Sequence, residues 1–404
     1  MTSFTPARPE RGDLPLPLLT LDLPAYRDNR DALLAYGRAH GARLAPHVKT
    51  AMIPELAADF VAAGGWGVTV ADVRQARVMA EAGIRRIVIA NEVGGTHGAR
   101  HFARLVAARP ETEFFVFADS TEAATALEGA LSAHAPGRAV PVLVEVGSAR
   151  AGARDLAAAT RVIDALDEAV PRGHVRLAGI AAYEGAAAVP DPVETLRRVD
   201  ALLELAAQAL GVVRARLPDA RLVATAGGSL YFDRVVAVLG AAVDVDGGAD
   251  LVLRPGAILY GDHGIYEKGL AVMDARGGFA PEGAGAGETF RPVLRVFAEV
   301  LSRPEPELAI CGMGMRNVSY DAGLPRALAA FRDGASLATD LSGVSVQRLN
   351  DQHAFVALGG ADLRVGDVLA FGISHPCTCL HLWRTVQGVD AGGDIVEALM
   401  TQFG

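Results

Sequence analysis

Three features of this sequence combine residue types that could do chemistry. Lys49 closes the run Leu44-Ala45-Pro46-His47-Val48-Lys49-Thr50. A lysine at the C-terminal end of a strand points toward the mouth of a barrel, where burial would favour a neutral, nucleophilic amine. On spacing alone, a solvated surface lysine is the commoner explanation. The second feature is Ser374-His375-Pro376-Cys377-Thr378. Imidazole and thiolate are good zinc donors, and a spacing of two can place both on one side of an extended chain. Two donors do not close a site, however, and a buried histidine beside a free cysteine is a common core arrangement. Cys379 reads as a core thiol. The third feature is Ala226-Gly227-Gly228-Ser229. Its small residues would let backbone N–H groups approach an anion such as phosphate, and Ser229 adds a hydroxyl donor. An ordinary tight turn has the same composition.

The elements that must position these residues follow a regular beat. Short apolar runs at residues 43–48, 67–70, 87–90, 113–118, 141–146, 176–181, 221–225 and 250–253 alternate with stretches of helical periodicity. Eight β-then-α units predict an α/β fold, a (β/α)8 barrel, with chemistry just after the strand C-termini. A doubly wound sheet is the competitor, but no Gly-x-Gly-x-x-Gly follows the first strand. Beyond residue 264 the pattern changes. Residues 291–302 alternate like a strand, further strands are expected at 308–311, 353–358, 368–371 and 383–386, and 317–332 reads as loop and helix. The expected domains are a barrel over 17–264 and a mostly β domain over 265–404, with 17–40 running back to complete that domain or packing on the barrel.

Composition narrows the function classes. The chain has 404 residues, 51% of them hydrophobic, enough for two domains. A net charge of −9 argues against a nucleic-acid partner, which requires a basic face. Apolar stretches are broken before membrane-spanning length, so no membrane partner is expected. Residues 1–16 lack the apolar centre of a signal peptide. Three cysteines, Cys311, Cys377 and Cys379, make a disulfide framework improbable and a reducing cytoplasm the default location.

Ala45-Pro46-His47-Val48-Lys49-Thr50, followed by Met52-Ile53-Pro54 and by Ala63-Gly64-Gly65-Trp66-Gly67-Val68-Thr69, resembles the D-serine dehydratase and D-threonine aldolase family. These are fold-type III pyridoxal phosphate (PLP) enzymes related to alanine racemase, and the resemblance runs from Thr20 to Trp383. It implies that Lys49 carries PLP as a Schiff base, with His47 beside it. It also implies that Gly227, Gly228 and Ser229, together with Arg254, Gly256 and Ala257 of the Arg-Pro-Gly element, hold the cofactor. Arg150, in Gly147-Ser148-Ala149-Arg150-Ala151-Gly152, matches the family's arginine near the cofactor ring. Tyr183, in Ala182-Tyr183-Glu184-Gly185, matches another residue on the cofactor side. Lys49, Arg150 and Tyr183 are the implied catalytic residues, and Tyr260 and Asn91 are weaker candidates for cofactor contact. His375 and Cys377 match a zinc-binding pair, whereas aldolase members carry a carboxylate in the cysteine's place and use manganese or a similar ion. His353 matches a family histidine of the same domain. The chain departs from its relatives at Cys379, His381, Leu382 and Met315, which puts substrate identity in doubt.

The implied activity is β-elimination from a D-β-hydroxy amino acid such as D-serine, D-threonine or 3-hydroxyaspartate, giving a 2-oxo acid and ammonia. Lys49 would be the base at Cα, PLP the electron sink, and the metal would assist departure of the hydroxyl. Cys377 in place of a carboxylate favours elimination over the alternative, retro-aldol cleavage to glycine and an aldehyde. Racemisation and a non-catalytic PLP carrier are further alternatives; the second domain argues against the carrier. The resemblance also implies a homodimer.

Overall fold

In the computed structural model, residues 7–279 and 283–403 are described. The chain divides into two units. One comprises Leu33–Lys49 and Pro54–Gly256; the other comprises Met1–Ala32, Thr50–Ile53 and Ala257–Gly404. No described helix is long and apolar enough to cross a membrane.

After a short 3-10 turn at Pro9–Arg11, the described chain forms β1 (Leu18–Asp22) and α1 (Leu23–Ala39). The first unit then alternates strand and helix: β2 (Arg43–Leu44), α2 (Pro54–Ala62), β3 (Val68–Val70), α3 (Val73–Glu81), β4 (Arg86–Glu92) and α4 (Thr96–Ala108). It continues with β5 (Glu113–Ala118), α5 (Thr121–His134), β6 (Val140–Val146), α6 (Leu156–Ala169), β7 (Val175–Ala182) and α7 (Pro192–Arg216). It ends with β8 (Leu222–Ala226), α8 (Phe232–Val235), α9 (Ala241–Asp246) and β9 (Ala249–Leu253). Capping side chains start the helices where the strands end. Asp72, Ser120, Asp155 and Asp191 accept backbone N–H groups in the first turns of α3, α5, α6 and α7.

The eight parallel strands follow the order β2-β9-β8-β7-β6-β5-β4-β3, forming the (β/α)8 barrel expected from the βα beat. The seam between β2 and β3 is closed by less regular contacts. Trp66 N–H donates to Leu44, Thr69 N–H to Pro46, and the Thr69 hydroxyl to Ala45 at 2.6 Å. The first strand is shorter than the expected 43–48 because Pro46 has no N–H to give the ladder. Pairing resumes as a single bridge, His47 to Thr69.

Period-two alternation fills the barrel. Ala45, Ala90, Phe117, Leu143 and Val252 belong to one buried cluster inside it, with Trp66 packed against them. The Arg86 guanidinium lies 4.5 Å from the Trp66 ring centroid. Two residues further along the same five strands stand His47, Glu92, Asp119, Glu145 and Arg254. The apolar layer is thus followed, toward the strand C-termini, by an ionisable one.

The second unit adds α10 (Ile265–Ala275), α11 (Ala286–Thr289), β10 (Leu294–Glu305), β11 (Leu308–Cys311), β12 (Arg326–Arg332) and β13 (Ala335–Ser336). After these come β14 (Ser345–Leu349), β15 (Ala354–Ala357), β16 (Val368–Gly372), α12 (Pro376–Leu380), β17 (Thr385–Val389) and β18 (Ile395–Met400). It is mostly β, as expected. The long strand β10 pairs with β1 and β16, and near its end with β11. β1 lies between β10, to which it is antiparallel, and β17, to which it is parallel. The reading of 317–332 as loop and helix is corrected: Arg326–Arg332 is a strand paired with β16. Its Ala-rich composition suits a helix, but half-burial against a sheet partner overrides local propensity.

Asn29, fully buried, ties this unit internally. Its amide donates to the Leu259 and Arg291 carbonyls at 3.0 and 2.8 Å and accepts from Arg291 N–H at 3.0 Å. Asn29→Ala would leave buried backbone groups unpaired. It is expected to destabilise the protein by about 2–3 kcal/mol, which a thermal or urea melt would register.

Candidate active site

In the barrel unit, the residues expected to do chemistry stand at or just beyond the strand ends. Lys49 is exposed, in a short turn that continues β2 beyond its irregular end. The exposure departs from the burial anticipated for its amine. Burial drives the pKa of His47 well below the usual histidine range, and the charges of Lys49, Arg254 and Arg150 push the same way. His47 is therefore neutral, able to act as donor or acceptor. Gly256 presses on its backbone: a Cβ at 256 would lie 2.3 Å from the His47 carbonyl oxygen, so the end of β9 can approach only as glycine.

Arg254 is buried and held by the barrel itself. It donates to the Ala182 carbonyl at 2.7 Å and to the Thr225 hydroxyl at 3.0 Å, and lies 5.3 Å from the Phe117 ring centroid. Burial lowers its pKa, while the charges of Glu184 and Glu145 act in the opposite sense. Arg150 reaches back to Glu145 Oε1 at 3.4 Å and sits 5.4 Å from the half-exposed Tyr183 ring. Tyr183 in turn lies on the glycine turn, where a Cβ at Gly228 would meet its ring at 3.0 Å.

That turn is an anion site by construction, and a carboxylate of this chain uses it. Gly227 N–H and Gly228 N–H donate to the fully buried Glu184 at 3.0 and 2.5 Å. Burial raises the Glu184 pKa; those two bonds and Arg254 draw it back. Ser229 follows, buried at the same turn.

The β unit brings together His375, Cys377, Asp321 and Thr50. His375 Nδ1 lies 2.6 Å from Asp321 Oδ2, and the Thr378 hydroxyl donates to the other Asp321 oxygen at 2.7 Å. The His375 and Cys377 side chains are within hydrogen-bond reach of each other. That bond raises the imidazole to about 9 against the effect of burial, and Asp321 adds to the rise. Cys377 Sγ and Thr50 Oγ1 are 3.4 Å apart. Buried Tyr260 packs 5.7 Å from Tyr26 between ring centroids, and burial pushes its hydroxyl well above the ordinary tyrosine range. Ala257 begins the buried turn leading to Tyr260. Cys379 is a core thiol, buried and pushed up to about 12. His353 is exposed beside β15. Asn91 is exposed too, in a cleft that Glu92 also lines.

Glu92, Glu145, Glu184 and Asp321 are functional neighbours that the sequence motifs do not single out. Glu92 and Glu145 carried a usable signal, since each lies two residues beyond an apolar residue that faces into the barrel. Asp321 is 54 residues from His375 and carried none.

Comparison with known proteins supplies the class. The chain belongs to the family described as alanine racemase, N-terminal domain, which matches residues 21–264. Residues 293–389 match a putative serine dehydratase domain. The chain is an enzyme, and its family is pyridoxal phosphate-dependent. It is 25% identical over 387 residues to a 3-hydroxy-D-aspartate aldolase of Paracoccus denitrificans, covering 94% of this chain and 90% of that one. The structure of a D-threonine aldolase from Filomicrobium marinum is 26% identical, with a TM-score of 0.73 over 96% of this chain and 95% of that one. A D-threo-3-hydroxyaspartate dehydratase from Delftia sp. HT23 shares the fold, with 21% identity and a TM-score of 0.71 over 97% of this chain and 98% of that one. A cysteine-to-alanine variant of a dehydratase of that name is known in a metal-free form.

The residues present fit both groups that the family implies. At the barrel's strand ends, the Lys49 amine, the Arg150 and Arg254 guanidinium groups, the Ser229 hydroxyl and the turn at Gly256 suit a phosphorylated aldehyde, while the Gly227 and Gly228 N–H groups are held by Glu184. In the β unit, a nitrogen and a sulfur donor suit zinc. No group of three or more histidine, cysteine, aspartate or glutamate side chains that could hold a metal ion occurs among the described residues.

Replacing Glu184 with alanine would strip the acceptor from two glycine N–H groups. The variant is expected to bind pyridoxal phosphate about tenfold more weakly, close to 1.4 kcal/mol. A fluorescence titration that gave the wild-type affinity would show that the turn holds its shape without this carboxylate.

Proposed function

We propose that this chain is a pyridoxal phosphate- and metal-dependent lyase that eliminates the β-hydroxyl of a D-β-hydroxy amino acid. D-Serine, D-threonine and 3-hydroxyaspartate are the substrate candidates, and a 2-oxo acid and ammonia the products. The cofactor supplies an electron sink for the carbanion at Cα. Lys49 would hold it and, once displaced by the substrate amine, take the Cα proton on Nζ. Arg150 and Tyr183 would flank it, with Ser229 and the turn at Gly256 toward its phosphate. Neutral His47 and buried Arg254 contribute a fixed electrostatic background that needs no rearrangement during reaction. The Cα proton is lost, hydroxide leaves from Cβ, and the released enamine hydrolyses to the 2-oxo acid and ammonia.

The observation that carries this reading is the set His375, Cys377, Asp321 and Thr50. With Asp321 on Nδ1, His375 would offer Nε2 to a metal, a carboxylate–histidine arrangement typical of metal sites. Cys377 completes a pair with open positions, as Lewis-acid assistance to a leaving hydroxyl requires. Thr50 Oγ1, 3.4 Å from Cys377 Sγ, adds a hydroxyl to the set.

The second reading is retro-aldol cleavage to glycine and an aldehyde. It is favoured by the relatives named as aldolases. D-Threonine separates the two: 2-oxobutyrate and ammonia are expected, and glycine with acetaldehyde would establish cleavage instead. Lys49→Ala is expected to abolish turnover, and retained activity would overturn both. Chelation should also abolish activity, with zinc restoring it. Asp321→Asn is expected to weaken zinc binding about 10–100-fold, read by competition with a chromogenic chelator.

A further inference from the structure

Glu92 ends β4, and Glu145 lies one residue before the end of β6, with only β5 between these strands. Glu145 is 1% exposed. The two carboxyl groups are within hydrogen-bond reach of each other. Glu92 Oε1 and Glu145 Oε2 are buried and meet no hydrogen-bond donor among the described residues. The other Glu145 oxygen, Oε1, faces Arg150 Nη2 at 3.4 Å. Ionised carboxylates only accept hydrogen bonds, so two of them can bond to each other only if one keeps a proton. Two that share a buried site cannot both ionise cheaply.

We propose that Glu92 and Glu145 share one proton and act as a single anion that positions Arg150. Glu145 touches the guanidinium, and Glu92 acts through Glu145 as a positioning residue. Burial, the bond to Glu145 and its charge raise Glu92 to about 8, and Asp119 at the end of β5 adds to the rise. The cations facing the pair are Arg150 and, from the end of β9, Arg254. Asp72, Arg74, Arg77 and His101 line the cleft of about 430 Å³ that Glu92 also lines, which gives the shared proton access to solvent. With the proton in place, one negative charge answers Arg150. Without it, a second negative charge stands near the place where a phosphate or a substrate carboxylate would bind.

The consequences have a definite sign. The folded pair keeps a proton that an unfolded glutamate releases in its usual range near 4.5. The folded state therefore binds more protons between that range and about pH 8, and stability falls as pH rises across this window. Glu92→Gln keeps a neutral donor beside Glu145 and should remove that slope. Glu145→Gln removes the anion itself.

The shared proton stands independently of the proposed function; its effect on the cofactor rests on that proposal. Two measurements keep them apart. In the cofactor-free full chain, difference infrared spectroscopy at neutral pH should show a protonated carboxyl band. The band should fade as pH passes about 8, and it should be absent from Glu92→Gln. No such band in wild type, or an unchanged band in the variant, overturns the pair. With pyridoxal phosphate as the probe, wild-type affinity relative to Glu92→Gln should fall about tenfold between neutral pH and about pH 9. Glu145→Gln should bind about tenfold more weakly already at neutral pH. Superimposable pH profiles for wild type and Glu92→Gln would overturn the positioning role, whereas a merely structural glutamate would shift melting temperature and leave the profile in place. Wild type that failed to bind pyridoxal phosphate would overturn the proposed function and leave the infrared result standing. Should Glu92→Gln fail to fold, Glu92→Asp must restore the band and the profile, and failure to do so counts against the pair.

Discussion

A barrel packed solid with side chains gives its last ring of residues nowhere to find water from below. Below the ring, Phe117, Leu143 and Val252 close off the interior, and a charge set directly above apolar atoms must be paired sideways or be neutralised, a base by losing its proton and a carboxylate by keeping one. The arrangement above that layer follows from this. Arg254 lies over Phe117 and gives its N–H groups to a backbone carbonyl and a hydroxyl. His47 stays neutral. Glu184 finds acceptor-seeking N–H groups in the turn at Gly227 and Gly228. A ring preorganised in this way suits a phosphorylated aldehyde bearing several charges, because its own groups are already fixed.

The β unit solves a related problem with the same device. His375 and Cys377 flank Pro376 at the start of α12, but their neighbours set their roles. Asp321 orients the imidazole, Thr378 anchors Asp321, and the Ser319 hydroxyl takes the His375 N–H. Trp383 pins the segment through its indole N–H to the Asn317 carbonyl. In both units, then, a carboxylate distant in sequence from the motif holds it in shape: Glu184 for the glycine turn, Asp321 for the histidine.

The two units differ in how far they could be read beforehand. The barrel was legible because eight apolar runs recur with a helical stretch after each, a period that few other folds share. The positions of Lys49, Arg150 and Tyr183 at or just beyond strand ends were legible because each sits within a short motif that follows an apolar run. Pro46 was visible in the sequence, yet its effect on the first strand depends on which neighbour would have received the missing N–H. Arg326–Arg332 was misread because RALAAFR is helical in composition and becomes a strand only through β16. Asp321 was invisible for a plainer reason. A hydrogen bond across 54 residues leaves no spacing to recognise, and aspartates in loops are abundant.

β1 sits between β10 and β17, although the whole barrel lies between it and them in sequence. A ribosome delivers Leu18–Asp22 more than 270 residues before the first of those partners emerges. Throughout that interval an apolar five-residue strand waits without its sheet, while the barrel's own strands, mostly neighbours in sequence, can already pair. A strand made before the barrel is among the last to be secured. Nascent chains should therefore be most prone to capture by chaperones, or to mispairing, around Leu18–Asp22. A fusion partner placed upstream would act on this exposed interval of biosynthesis well before it could affect the finished enzyme.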